Sequence, residues 1–160
     1  MRHYRGYPPT TRAALQPTGS WRAGAAKVDL TPTSGFPMGG HSLVGQTARG
    51  YWTRLYVSAI YLEDPDGRRL ALVSCDLWSM PAGLADRVAE LVASNRRGER
   101  RPADRIILTR DQLVLAATHT HQSPGNFSSA SAYNTFASPH PGFDRRLFEF
   151  LAHRISEAIH

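Results

Sequence analysis

The chain has 160 residues, of which 41% are hydrophobic and 20% charged, with a formal net charge of +6. That is one domain's worth of chain, long enough to bury a core, and no apolar run approaches the roughly 20 residues that a membrane-crossing helix needs. The lone cysteine, Cys75, excludes an internal disulfide, and 18 arginines and one lysine spread the charge too thinly to predict a nucleic-acid partner.

Met1 to Ser20 holds arginines, prolines and threonines with one leucine. It lacks the apolar stretch of a signal peptide and reads as a disordered leader, with order expected from near Trp21. Ala26, Val28 and Leu30 alternate with Lys27 and Asp29, which predicts a first strand over Ala23 to Leu30. Thr31-Pro32-Thr33-Ser34-Gly35 ends it. In the loop Phe36 to Ser42, the paired Gly39 and Gly40 permit a tight turn or a close backbone approach. His41 in that loop is expected at the surface rather than as a ligand.

Arg54 to Leu62 is rich in β-branched and aromatic residues and predicts a strand. Asp64-Pro65-Asp66-Gly67 is a turn, and Arg69 to Cys75 returns as the second arm of a hairpin. Asp76 lies just beyond it. Ser79-Met80-Pro81 opens a helix in which Ser79 is available as the cap, and Leu84, Val88, Leu91 and Val92 form one stripe. Gly98 and an arginine knot at Arg96, Arg97, Arg100 and Arg101 close that helix.

Leu113 to Ala117 is an unbroken apolar run, expected to be a strand buried on both faces. The long connection makes the segment from Arg69 to Ala117 a βαβ crossover with parallel strands. Asp76 and His119 therefore belong at the same carboxyl edge of the sheet, where α/β sheets bind ligands. In extended backbone His119 and His121 share a face, so their imidazoles can serve a metal or a proton transfer. Asp76 is a candidate to hold the second ring nitrogen of His119, or else an aspartate bonded to loop backbone. His121 is a candidate to orient substrate or carry a proton. Gly125 to Gly142 is a long loop whose aromatics, Phe127, Tyr133 and Phe136, are expected to pack in part over the site. Phe143, Leu147, Phe150, Leu151, Ile155 and Ile159 mark an amphipathic helix, inside or just after which the sequence ends. The fold class is α/β, with a mixed sheet built from a β-hairpin and a βαβ crossover.

The residues also carry a resemblance. Ala23 to Thr31, Met38-Gly39-Gly40, Gly50 with Thr53-Arg54-Leu55, Val73 to Leu77 and above all Ala117-Thr118-His119-Thr120-His121-Gln122-Ser123-Pro124-Gly125 resemble the neutral (non-lysosomal) ceramidase family. The resemblance implies that 21–160 is the amino-terminal portion of a larger catalytic domain. It implies hydrolysis of ceramide or a related N-acyl lipid with one zinc ion, Zn2+, and His119 as a zinc ligand ahead of His121. It further implies that another histidine, a glutamate and a tyrosine from the remainder of the catalytic domain complete the zinc shell, and that the substrate brings the protein to a membrane surface. Gln122 and Asn126 stand where small residues are usual in the family. Another His-x-His metallohydrolase, or a non-catalytic binding module, is the alternative.

Overall fold

A computed structural model describes residues 21–94 and 108–160, together with the backbone of Thr11–Ala14. The arginine knot and most of the expected leader lie outside the described residues. Five strands form one sheet in the order β1-β2-β3-β4-β5, with β1 at Thr11–Ala14, β2 at Arg22–Asp29, β3 at Tyr56–Glu63, β4 at Arg69–Cys75 and β5 at Leu113–Ala117. The helices are α1 at Ala82–Ser94, the short α2 at Ser131–Phe136 and α3 at Arg145–Ile159.

The hairpin forms as its turn chemistry dictates. Asp64 accepts through its carboxylate from the backbone N–H of Asp66 and Arg68, while Gly67 takes a φ of 79° at no steric cost. β3 and β4 pair antiparallel in the register Val57↔Cys75, and β4 and β5 pair parallel in the register Cys75↔Ala117. Since β2 and β4 both run antiparallel to β3, the strands β2, β4 and β5 all deliver their carboxyl ends to one edge. That edge carries Asp29, Asp76 and Thr118, followed by the two histidines.

α1 and α3 cover one face of the sheet. Leu84, Val88 and Val92 of α1 and Leu147, Leu151 and Ile155 of α3 close over Val28, Val57, Val73 and Cys75. The Arg87 guanidinium bridges to Glu149 at 3.0 Å and ties the two helices together at the surface. α3 is started by Asp144, whose carboxylate accepts from the N–H of Arg146 and Leu147.

Three expectations need correction. β5 is buried on one face only, because it is the edge strand and both helices lie on the same side. On the outer face Ile60, Leu72 and Val114 form an in-register row that is 48%, 39% and 50% exposed. Order does not begin at Trp21 either, since β1 pairs with β2 through Thr11↔Lys27 to Ala14↔Gly24. Such a strand is recruited by backbone hydrogen bonding to an open edge, which leaves no hydrophobic period in the sequence. Ser79 does not cap α1. The Pro81 carbonyl accepts the first helical bonds from Leu84 and Ala85, and the N–H of Gly83 donates to the Ser129 hydroxyl, 46 residues away, at 3.1 Å.

Cys75 has no exposed surface, and burial, assisted by the neighbouring Asp76 carboxylate, pushes its thiol from 9.0 up to about 12. The folded state therefore holds this proton more tightly than the unfolded chain, so the associated stability is complete below pH 9 and is lost as pH rises toward 12. At neutral pH a thiol reagent should leave native Cys75 untouched and modify it promptly in denaturant. Fast modification without denaturant would show that this core does not hold.

Candidate functional site

The site is assembled where β4 and β5 end. The Cys75 carbonyl accepts from both Leu77 N–H at 2.8 Å and Thr118 N–H at 2.9 Å, which forces the two chains to leave the sheet side by side. Asp76 locks that exit. Its backbone N–H donates to Tyr56 O at 2.8 Å, its Oδ2 accepts from Tyr56 N–H at 2.9 Å and its Oδ1 accepts from Thr118 Oγ1 at 3.2 Å. The carboxylate is thus occupied in joining β3, β4 and the end of β5. Its hydrogen bonds go to the first residue of β3 and to the Thr118 side chain, neither to His119 nor to loop backbone.

The acceptor for His119 is the Trp78 carbonyl, 2.6 Å from Nδ1. A carbonyl oxygen only accepts, so Nδ1 carries the proton and the lone pair of neutral His119 is on Nε2. His119 reaches this position by leaving the strand: β5 stops at Ala117, and His119 has a φ of +62°. A non-glycine residue in the left-handed region is costly and tends to mark functional positions. Extended alternation therefore does not bring the two histidines together, because the backbone turns between them. The imidazoles meet all the same. Their Nε2 atoms are 3.3 Å apart, with the ring planes at 78°.

Around this pair the loop from Phe36 to Ser42 makes the close approach that its glycines permit. Gly39 N–H donates to Ser123 O at 2.9 Å, Gly125 N–H to Pro37 O at 2.7 Å, and Gly40 N–H to Ala137 O at 2.8 Å. A Cβ on Gly40, whose φ is +87°, would stand 2.9 Å from the His121 ring. Only glycine fits there. His41 is half-buried rather than fully exposed, and its ring meets that of His121 edge-on at 5.1 Å.

Ser123, which the sequence offers only as a strand breaker, is fully buried. It accepts from Trp78 N–H at 2.8 Å and donates to Thr120 O at 3.0 Å. No periodicity or composition points to that role. Phe127 is fully buried against Trp78, and Tyr133 on α2 leans on the same indole at 5.8 Å. Phe136 faces water instead. A cavity of about 360 Å³ is lined by Phe36, Met38, Tyr51, Trp52 and Gln122, the residue that follows His121, among others.

Two nitrogens bound to one tetrahedral zinc at about 2.0–2.1 Å are separated by roughly 3.3 Å. The histidine pair has that separation, which equally suits an N–H of His121 donating to Nε2 of His119. Among the described residues no group of three or more His, Cys, Asp and Glu could hold a metal ion. Two imidazole nitrogens meet here, and that of His119 is oriented by a backbone carbonyl.

The Trp78 contact fixes a tautomer that NMR reads directly. Long-range 1H–15N spectra of the chain should show neutral His119 protonated on Nδ1. An Nε2–H pattern would mean that the carbonyl does not hold the ring.

The chain is 30% identical over 134 residues to a neutral ceramidase of Drosophila melanogaster, covering 83% of this chain and 18% of that protein. It is likewise 30% identical over 141 residues to the neutral ceramidase of Pseudomonas aeruginosa, covering 87% and 19%. The fold is similar to the crystal structure of the neutral ceramidase from Pseudomonas aeruginosa, with a TM-score of 0.73 and 29% identity over 87% of this chain and 21% of the other. A second similar structure is a ceramidase complexed with C2, with a TM-score of 0.71. The chain spans about a fifth of the length of these relatives. Residues 21–160 match the family described as neutral/alkaline non-lysosomal ceramidase, N-terminal, and the chain belongs to that family.

Proposed function

We propose that this chain is the amino-terminal part of a zinc-dependent amide hydrolase that cleaves N-acylsphingosine, or a related N-acyl lipid, into a fatty acid and a sphingoid base. The observation that carries this reading is the pair of Nε2 atoms 3.3 Å apart, one ring anchored by the Trp78 carbonyl. Family membership supports it.

When bound, the zinc would polarise the amide carbonyl and acidify a water molecule. The residues of this chain have simpler duties. His119 holds its Nε2 lone pair in place, because both its backbone turn and its second nitrogen are fixed. His121, wedged between His41 and His119, supplies the second nitrogen, as a ligand or as the group that holds a proton beside the reacting amide. Asp76 is a positioning residue that keeps the ends of β4 and β5 together. Phe36, Met38, Tyr51 and Trp52 give an acyl chain an apolar wall, and Gln122 places an amide at its edge. The remaining ligands come from the rest of the catalytic domain, as the resemblance implies.

Zinc affinity, measured by competition with a chromophoric chelator, should fall in His119→Ala by more than the roughly 10–100-fold that losing an outer partner of a ligand costs. A smaller loss is expected in His121→Ala, because that ring lacks the carbonyl anchor. Unchanged affinity in both variants would remove the histidines from the metal site.

Two nitrogens do not close a catalytic zinc shell. The 160-residue chain, supplied with zinc, should therefore release no fatty acid from a fluorescent ceramide. Turnover that survives rigorous purification and vanishes in His119→Ala would show that a whole site is built within these residues.

A further inference from the structure

His119 and His121 are held by different means. His119 has the Trp78 carbonyl at its second nitrogen, whereas among the described residues the His121 imidazole has no hydrogen-bond partner besides the His119 ring. Such a ring exchanges between staggered rotamers unless packing prevents it. The dipeptide Gly40-His41 supplies that packing. A Cβ placed on Gly40 would lie 2.9 Å from Cγ, Cδ2 and Cε1 of His121 alike, so Gly40 stands over the face of the imidazole and not at its rim. His41 meets the same ring with 5.1 Å between centres and the planes at 87°. That is the edge-to-face arrangement aromatic rings prefer.

The backbone is bent to present His41 in this way. Gly40, before it, has a φ of +87°, and Ser42, after it, a φ of +57°. A serine in the left-handed region is strained, and such strain gathers where a site fixes its geometry. His41 opens the short 3-10 turn Ser42–Val44 without capping it through its side chain, so local helix chemistry does not account for the strain. Gly45 closes the turn so tightly that a Cβ there would stand 3.1 Å from the Cβ of His41 and 3.1 Å from Pro139. Gly39 N–H to Ser123 O and Gly40 N–H to Ala137 O then tie this segment to the stretch that follows His121.

We propose that His41 is a positioning residue. Its ring, together with Gly40 on the imidazole face, fixes the rotamer of His121 and so sets the two Nε2 atoms at their separation before a metal arrives. The bearing on the metal rests on the hydrolase reading, whereas the fixing of the ring does not. The His41 ring makes no hydrogen bond among the described residues, so its contact is one of shape, and another ring of similar size keeps it.

The test compares the metal-free 160-residue chain with its His41→Ala and His41→Phe variants. Ring 1H–13C spectra of histidine-labelled protein report the motion of His121 and its NOE contacts. In the unsubstituted chain that ring should hold one rotamer, with NOEs to His41 and to the α-protons of Gly40. In His41→Ala it should average between rotamers, and in His41→Phe it should be fixed again. Amide resonances of the core should stay in place, because His41 is half-buried in a surface loop. Zinc affinity should fall about tenfold in His41→Ala and return in His41→Phe.

A His121 ring that stays fixed in His41→Ala would overturn the proposal. So would averaging in both variants, which would assign the role to a nitrogen of His41 and not to its shape. Loss of the core resonances in His41→Ala would overturn it by making His41 a residue of the fold and not of the site. Zinc affinity kept in His41→Ala but lost in His119→Ala would overturn the link between a fixed His121 and the metal. Affinity unmoved by either substitution, with the ring averaging as expected, would count against the hydrolase reading alone.

Discussion

The carbonyl of Trp78 can accept a proton but never give one, and the arrangement of the site descends from that asymmetry. It assigns the proton of neutral His119 to Nδ1 and turns the Nε2 lone pair toward His121. For the carbonyl to do this it must itself be immobile. Trp78 is held at its backbone N–H by Ser123, its indole is packed by Phe127 and Tyr133, and Gly39 lies so close that a side chain there would strike the indole. A ligand fixed through backbone and core is better preorganised than one resting on a second flexible side chain.

That immobility is in turn a property of the sheet. The Trp78 carbonyl and His119 belong to segments 41 residues apart, and they meet only because β4 and β5 are parallel neighbours that end level with each other. Asp76 and the doubly used Cys75 carbonyl hold the two exits together. A buried or half-buried carboxylate with two hydrogen bonds from separate strands acts as a staple, and losing one partner leaves an acceptor unsatisfied at a cost of about 1–3 kcal/mol. The helices contribute from one side only. They bury the inner face and leave the outer row of Ile60, Leu72 and Val114 to water.

The hairpin, the crossover and the shared edge of Asp76 and His119 were legible because they follow from local chemistry and chirality. Asp-Pro-Asp-Gly makes one connection, and a helix-length link between parallel strands makes the other. What was not legible depends on contacts between distant segments. The convergence of the histidines was expected from strand alternation, but a left-handed turn at His119 achieves it, and nothing in Thr-His-Thr-His announces a positive φ. Trp78 displaced Asp76 as the partner of His119 because a main-chain oxygen is invisible to a search among side chains. Ser123 and Ser129 escaped notice for the opposite reason, since serines are common in loops and only the fold selects which of them become ties. The burial of β5 was overestimated because five apolar residues look alike in a central strand and an edge strand.

The hydroxyl of Ser129 serves the first turn of α1 from within the loop that follows the histidines. This couples two equilibria that would otherwise be independent. Swinging that loop away from the sheet edge uncaps the helix, at roughly 0.5–2 kcal/mol for a lost cap, while fraying of the helix removes the loop's anchor. A ligand that is held better when the loop is closed must then also protect the amides at the start of α1 from exchange with solvent, although it touches none of them. Occupancy of the edge is thereby reported in the far layer of the molecule as a change in local unfolding rather than in shape.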